Sequence, residues 1–552
     1  MKLWQYLGKK ELQELIGDSI LDQLESILPA LESDSLDDPS SIFNKNNLVK
    51  IVEAFQGGNI CKNPKLLSAV LNHVSDDALT LFLSQNFSDI RNLSFSEKIR
   101  LVVDNFFVDR EFALKFLQWA DFPEAYVPLE EPVLPSEIFL ERASAPYKTL
   151  KDYQYSVFFK AQKELEINLS RFVLQMPTGS GKTRTAMEIV THFLNNSTED
   201  TSVVWLAHSE ELCEQALECF MEVWRHVARK DLLLFRAWGK NASVPHLFDG
   251  SAFIVGGFQK MHSVLKNNPH VFNKLKSKVG LIVVDEAHKV IAPTYAEVTS
   301  ALMNNKTKVI GLTATPGRGI DNEEQNRALS DFFFNKNITI STPRGENVIA
   351  YLRDKKVLSH LSVSPIITSS TFCLTDREKK YLEKYFDFPP GFLERVGNDS
   401  IRNVEIIKRL AQECSDGRQI LFFACSVEHS KFICSMLIYL GFKAAHIDGN
   451  TDKTTRHKRL DDFKKKSIQV VCNYGVLSTG FDAPLTDVVF ISRPTNSIVL
   501  YSQMIGRGLR GPAIGGTSSC KLINVKDNIE GLPNYQNIFE FFEDYWGGLR
   551  WR

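Results

Sequence analysis

The 552-residue chain has almost no net charge, since 65 Lys and Arg against 66 Asp and Glu leave −1 at pH 7. It lacks the global basic field of a protein that binds polyanions with its whole surface, so any nucleic-acid contact has to come from a local groove. The nine cysteines are scattered, and no two stand at Cys-x-x-Cys spacing, which removes the paired-cysteine zinc sites. An odd count without framework spacing points to free thiols in a reducing compartment. No apolar run approaches the ~20 residues that cross a bilayer, and Met1-Lys2-Leu3-Trp4-Gln5 opens no apolar signal stretch. The expectation is a soluble cytoplasmic protein with no membrane partner. A nuclease constellation is missing as well: no His-Asp metal pair and no clustered carboxylates with a lysine stand outside the motifs described below.

What is present is a chain long enough for roughly three to four domains. Residues 1–120 read as helix throughout. Leu12, Leu15, Ile16, Ile20, Leu24, Ile27, Leu28 and Leu31 recur at helical spacing, as do Leu48, Ile51, Val52 and Phe55. These residues are expected to form an all-α domain, a docking or regulatory module separate from the rest of the chain. Five prolines and several glutamates mark 121–147 as a linker. From 148 to 345, apolar strands (Arg171–Gln175, Ser202–Leu206, Ala252–Val255, Leu281–Val284, Lys308–Leu312) alternate with amphipathic helices, the pattern of a parallel, doubly wound sheet. After a helical or irregular connector, 346–400, a second set occupies 401–525: Gln419–Phe423, Lys443–Ile447, Gln469–Cys472 and Val488–Ser492. Residues 526–552 form an aromatic tail.

Two segments carry the chemistry. Met176-Pro177-Thr178-Gly179-Ser180-Gly181-Lys182-Thr183 sits between an apolar strand and a helical pattern and ends as a P-loop does, although Met176 stands where the usual first glycine would be. Glycines there let backbone N–H groups close on phosphates at the positive end of the next helix. Thr178, Gly179, Ser180 and Gly181 cradle the phosphates, Lys182 reaches the β- and γ-phosphates, and the Thr183 hydroxyl is placed for Mg²⁺. Far downstream, the buried run Val279–Val284 ends in Asp285-Glu286-Ala287-His288. Asp285 would face the metal and Glu286 would orient the attacking water. The cofactors expected are ATP and Mg²⁺.

Further motifs come in one order. Leu150-Lys151-Asp152-Tyr153-Gln154 precedes the P-loop by a helix, and Gln154 can address an adenine edge. Next come Leu206-Ala207-His208-Ser209-Glu210-Glu211-Leu212, Gly257-Phe258-Gln259-Lys260 and Gly311-Leu312-Thr313-Ala314-Thr315-Pro316. The second set holds Phe423-Ala424-Cys425-Ser426, Ile447-Asp448-Gly449, Leu477-Ser478-Thr479-Gly480-Phe481-Asp482-Ala483-Pro484 and Gln503-Met504-Ile505-Gly506-Arg507-Gly508-Leu509-Arg510. In that order these residues resemble the superfamily 2 helicases of the Asp-Glu-x-His type over about 150–512. The forms at Leu150–Gln154 and Leu206–Leu212 look most like the DNA-acting branch of type III restriction subunits and RadD-like and XPB-like helicases.

The resemblance implies an α/β fold of two RecA-like parallel-sheet lobes, here preceded by the all-α domain, with ATP between the lobes and a strand across both. It implies that His288 couples the site to Thr313 and Thr315, and that Gly480 and Asp482 join the nucleotide set. Gln503, Arg507 and Arg510 complete the site from the opposite lobe, the two arginines sharing one helical face at spacing three and acting as a cis arginine finger. Ser209, Gln259, Ser426 and Thr479 are candidates for phosphate contacts that position a strand without reading bases. The expected function is an ATP-dependent DNA helicase or translocase. The alternatives are an RNA helicase, or the motor of a nuclease-containing restriction or anti-phage complex whose partner docks on 1–120 or 526–552.

Overall fold

The computed structural model describes residues 3–31, 43–88, 90, 92–128, 137–140, 147–197, 200–239, 250–314, 323–385, 387–477 and 485–530. Eight strands make the first sheet: β1 (Glu137–Leu140), β2 (Arg171–Gln175), β3 (Ser202–Ala207), β4 (Leu232–Ala237), β5 (Ala252–Gly257), β6 (Val279–Asp285), β7 (Lys308–Thr313) and β8 (Asn337–Thr339). Their order is β1-β4-β5-β3-β6-β7-β2-β8, parallel throughout except for β1 against β4. Helices cover both faces, so β3 is buried at every residue and its sequence, Ser-Val-Val-Trp-Leu-Ala, does not alternate. The linker expected at 121–147 therefore contributes an edge strand, and β4 and β8 join the strands legible in the sequence.

The second sheet holds β9 (His360–Val363), β10 (Ile366–Cys373), β11 (Ile420–Phe423), β12 (Ala444–Ile447), β13 (Val470–Asn473), β14 (Val488–Ile491) and β15 (Ser519–Glu530). Its order is β10-β15-β14-β11-β13-β12, with β9 also beside β15. Two sequence boundaries are corrected here. The connector 346–400 supplies β9 and β10, both parallel to β15, and the tail set at 526 begins inside β15. Pro365 splits β9 from β10, and the alternation of buried Thr368 and Ser370 with exposed neighbours lacks an apolar signature. The aromatic tail itself lies outside the described residues beyond Glu530.

Among the described residues, seven α-helices lie between Lys9 and Ala120, as the periodicity implies. Their packing makes them part of the second lobe. Helices Asp18–Leu31 and Lys45–Gln56 lie on helices Ser400–Ser415 and Val427–Tyr439. Leu24, Ile27, Leu28, Val49 and Val52 share one buried cluster with Ile406, Ile407, Leu410, Phe432, Ile433, Met436 and Leu437. Burying each such side chain is worth about 1.5–3 kcal/mol, so the separate module expected from composition is instead one wall of a common core. No single helix among the described residues is long and apolar enough to cross a membrane.

Candidate nucleotide site between the lobes

The P-loop directly succeeds β2. The Met176 N–H donates to the Thr313 carbonyl at 3.1 Å, tying the root of the loop to the end of β7. Gly179 and Gly181 have φ of +82° and +84°, a region glycine enters without penalty. A methyl group on Gly181 would also stand 2.4 Å from Nε2 of Gln154. The Ser180 hydroxyl donates to the Pro177 carbonyl at 2.7 Å. The Ser180 carbonyl receives the Tyr153 hydroxyl at 2.8 Å and the Gln154 amide at 3.3 Å. Gln154 Oε1 accepts the Lys151 N–H at 2.9 Å, so its carboxamide here caps helix Asp152–Leu165 and braces the loop. Tyr153 is a bracing residue the sequence reading missed, and its place beside Gln154 was the available signal. Helix Lys182–Asn196 starts at once, with Thr183 in its first turn and its unsatisfied N–H groups facing the loop.

β6 delivers Asp285 at its carboxyl end, 6% exposed. Glu286 has φ +54° and ψ +59°, a conformation uncommon for any residue but glycine and typical of sites that hold strain. Its N–H donates to Asp285 Oδ1 at 3.0 Å. Lys182 Nζ lies 3.9 Å from Glu286 Oε1, and His288 Nδ1 lies 3.4 Å from Oε2. Burial pushes the Asp285 carboxyl up, with Lys182 working against it and the Glu286 charge reinforcing it. Burial also acts upward on Glu286, but Lys182, His288 and Lys289 outweigh it and hold this carboxylate low. The pair differs in the way needed for one ionised base beside one acid that gains from a cation. Two buried carboxylates facing one lysine suit a divalent ion, and Thr183 with Asp285 are the residues that would hold it.

The second lobe reaches this loop. Helix Ile498–Ile505 ends before the arginines, so the expected common helical face for Arg507 and Arg510 is corrected. After Ile505 the chain tightens, with Arg507 N–H to Met504 O at 3.3 Å and Gly508 N–H to Ile505 O at 2.9 Å. It then straightens, and Arg510 pairs with Leu358 in an antiparallel bridge. Gly508 permits this turn, because a methyl there would meet Cys520 Sγ at 2.3 Å. Arg507 Nε donates to the Gln503 carbonyl at 3.3 Å. A methyl on Gly179 would stand 3.8 Å from Arg510 Cγ and 3.9 Å from the Leu509 carbonyl oxygen, and one on Gly506 only 2.2 Å from Thr178 Cγ2. The P-loop and the Gln503–Arg510 segment are thus in van der Waals contact.

Thr313 is buried at the end of β7; Thr315, Thr479, Gly480 and Asp482 lie outside the described residues. Ser209 caps helix Glu210–Val227 by accepting the Leu212 N–H, and Ser426 caps Val427–Tyr439 by accepting the His429 N–H. Gln259 is exposed in the first turn of helix Phe258–Asn267. One cross-lobe pair carried no sequence signal: Arg456 donates to Glu211, 245 residues away, at 3.0 Å.

A P-loop, a strand-borne acid pair and an arginine segment from a second parallel sheet define a two-lobed P-loop ATPase fold. Residues 147–318 match the family "Type III restriction enzyme, res subunit" and residues 402–511 match the "Helicase conserved C-terminal domain", together about half of the chain. The chain thus carries the two domains of a superfamily 2 helicase, the first of them similar to the res subunit of type III restriction enzymes. It is 25% identical over 389 residues to irc3 of Schizosaccharomyces pombe, which bears the name of a mitochondrial ATP-dependent helicase, covering 69% of this chain and 58% of that one. It is 24% identical over 347 residues to the ATP-dependent DNA helicase uvsW of Enterobacteria phage T4, covering 62% of each. The chain thus spans about three fifths of the length of these curated relatives. The Hef helicase domain of Pyrococcus furiosus is 16% identical, covering 71% of this chain and 98% of that domain with a TM-score of 0.42.

Proposed function

We propose that the chain is an ATP-driven DNA translocase or helicase that hydrolyses ATP between its two lobes. The observation that carries this reading is the contact of Thr178 and Gly179 with Gly506, Leu509 and Arg510, next to a buried acid pair in which Lys182 and His288 both face Glu286. Lys182 and the loop N–H groups bind the phosphates. Glu286 accepts the proton of the attacking water, and His288 holds its carboxylate in place. Arg507 and Arg510 act on the charge that develops on the transferred phosphoryl group, a contribution worth about 10³-fold or more in related chemistry. Thr183 and Asp285 would hold Mg²⁺, which would supply charge neutralisation at the phosphates.

The capping roles of Ser209 and Ser426 suit a strand contact. Each hydroxyl oxygen accepts a helix N–H and so keeps its own proton to donate to a phosphate. Gln259 and Thr479 are assigned to the same backbone track. DNA rather than RNA is supported by the Leu150–Gln154 and Leu206–Leu212 forms, by the restriction-subunit family and by the DNA helicase among the relatives. That family match also favours a second reading, in which the motor serves a partner nuclease docked on the helical domain or the tail.

ATP turnover measured in parallel with single-stranded DNA, duplex DNA and RNA tests the substrate. Stimulation by DNA is expected, and strong stimulation by RNA with none by either DNA overturns the assignment. Glu286→Gln should bind ATP normally and turn it over at least ~10²-fold more slowly, as general-base losses do, whereas Lys182→Ala should lose phosphate binding. Near-normal turnover in Glu286→Gln protein would sink the mechanism.

A further inference from the structure

Helix Lys453–Lys464 of the second lobe is gripped from two sides. On one side lies the turn Gly57–Cys61 of the helical domain. The buried Gly58 N–H donates to Thr455 Oγ1 at 3.0 Å, and Lys62 Nζ lies 3.0 Å from Asp452, the residue that caps the helix. Arg459, 5% exposed, donates from one end of its guanidinium to the Glu53 carbonyl at 3.3 Å and from the other to the His446 carbonyl. A methyl on Gly57 would meet Thr455 Cγ2 at 2.6 Å, so the fit tolerates no larger residue there. On the other side lies the first lobe. Arg456 donates to Glu211 Oε1 at 3.0 Å, while its other nitrogen donates to the carbonyls of Asp448 and Thr451 at 3.2 and 3.3 Å. Glu211 stands in the first turn of the helix that Ser209 caps, and Asp448 belongs to the loop after β12.

We infer that Arg456 is a positioning residue for lobe closure, and that the helical domain, through its grip on helix Lys453–Lys464, sets where Arg456 stands. The side chain spans the two lobes with a fixed fork: two donor contacts hold it to its own lobe and one reaches across. A shift of the helix along the Gly57–Cys61 turn moves that fork relative to Glu211. The helical domain is therefore an integral part of the closure geometry, and whatever displaces it changes how readily the lobes meet.

The inference rests on the reading of the chain as an ATP-driven motor. The test uses the full chain with fluorophores on exposed positions of the two lobes, Phe159 and Lys465, and reads the closure produced by a non-hydrolysable ATP analogue, with turnover measured alongside. Glu211→Gln should weaken closure by about two- to fivefold, the range of a partly exposed ion pair, with kcat falling more than ATP affinity. Lys62→Met, which leaves the buried core alone, and Thr455→Val should act in the same direction. Arg456→Lys should retain part of the effect.

The deciding measurement is the pair of double variants Glu211→Gln/Lys62→Met and Glu211→Gln/Thr455→Val. If the helical domain acts through Arg456, each double variant is no worse than its stronger single variant. Effects that multiply, or a normal Lys62→Met and Thr455→Val, overturn the inference while the motor stands. A wild type that neither closes nor turns over ATP overturns the motor reading and this inference with it.

Discussion

Gly506→Ala isolates the contact between the lobes. Gly506 has φ −53° and ψ −18°, helical values that alanine adopts freely, and removing a glycine there should add roughly 0.5–1 kcal/mol of stability if nothing else intrudes. The new methyl would, however, lie 2.2 Å from Thr178 Cγ2 and 2.8 Å from Thr178 Cβ. Carbon atoms rest about 3.5–4.0 Å apart, so the first clash falls short by about 1.3–1.8 Å. Rotating Thr178 relieves the first contact and leaves the second, which only a displacement of the backbone removes. The P-loop and the arginine segment must therefore separate by about 1 Å, and misplacement on that scale costs about 10²-fold in rate.

The expected result is a kcat about 10²-fold lower, ATP affinity within several-fold because the phosphate-binding groups all lie on the first lobe, and an unchanged or slightly raised Tm. Steady-state turnover, fluorescent-nucleotide binding and thermal unfolding together read this out. In a Thr178→Gly background, where both clashing atoms are gone, Gly506→Ala should cost little. A full loss in that background, or normal turnover in the single variant, refutes the argument that this contact closes the site.

The packing dictates two other outcomes. A chain beginning at Glu137 uncovers Ile406, Ile407, Leu410, Phe432, Ile433, Met436 and Leu437; exposed apolar patches of this kind drive aggregation, so it should be insoluble or markedly destabilised, and a soluble, fully active truncation would show the second lobe to be self-sufficient. In Asp527→Ala the guanidinium of Arg402, fully buried and held at 2.7 Å by Asp527, loses its counter-charge, so denaturant unfolding should show a loss of about 3–5 kcal/mol, and a loss under 1 kcal/mol would mean that its bond to the Ser492 carbonyl suffices.

The parts of the site that sequence made legible are those in which chemistry is local. A phosphate loop needs its glycines, its lysine and its threonine within a few residues, because one strand, one turn and one helix end build it. The acid pair is legible because the near-continuous apolar run Val279–Val284 must be buried and must end where Asp285 begins. Most core strands of both sheets were legible for the same reason, but β4 and the long, polar-studded β15 were not. The other strands that escaped lie at the margins: β1 in a proline-rich stretch, β8 of three residues, and β9 and β10, whose polar alternation reads as loop. Their pairing comes from β4, β2 and β15, neighbours fixed by topology rather than by local composition.

Contacts across the cleft were legible in kind but not in arrangement. The spacing of Arg507 and Arg510 suggested one helical face, yet Gly506 and Gly508 mark where the chain tightens and leaves the helix. The sequence reports that glycines are present, whereas their reason lies in Thr178 and Cys520, which belong to other segments. The helical domain poses the same problem on a larger scale. The stripe Leu24, Ile27 and Leu28 states that a surface is buried without stating against what, and a separate domain and a wall of the second lobe leave identical periodicities. What separates them is a set of pairings between residues about 400 positions apart, Gly58 with Thr455 and Glu53 with Arg459. These place the helical domain on the helix that carries Arg456, and so make it a part of the machine rather than an attachment to it.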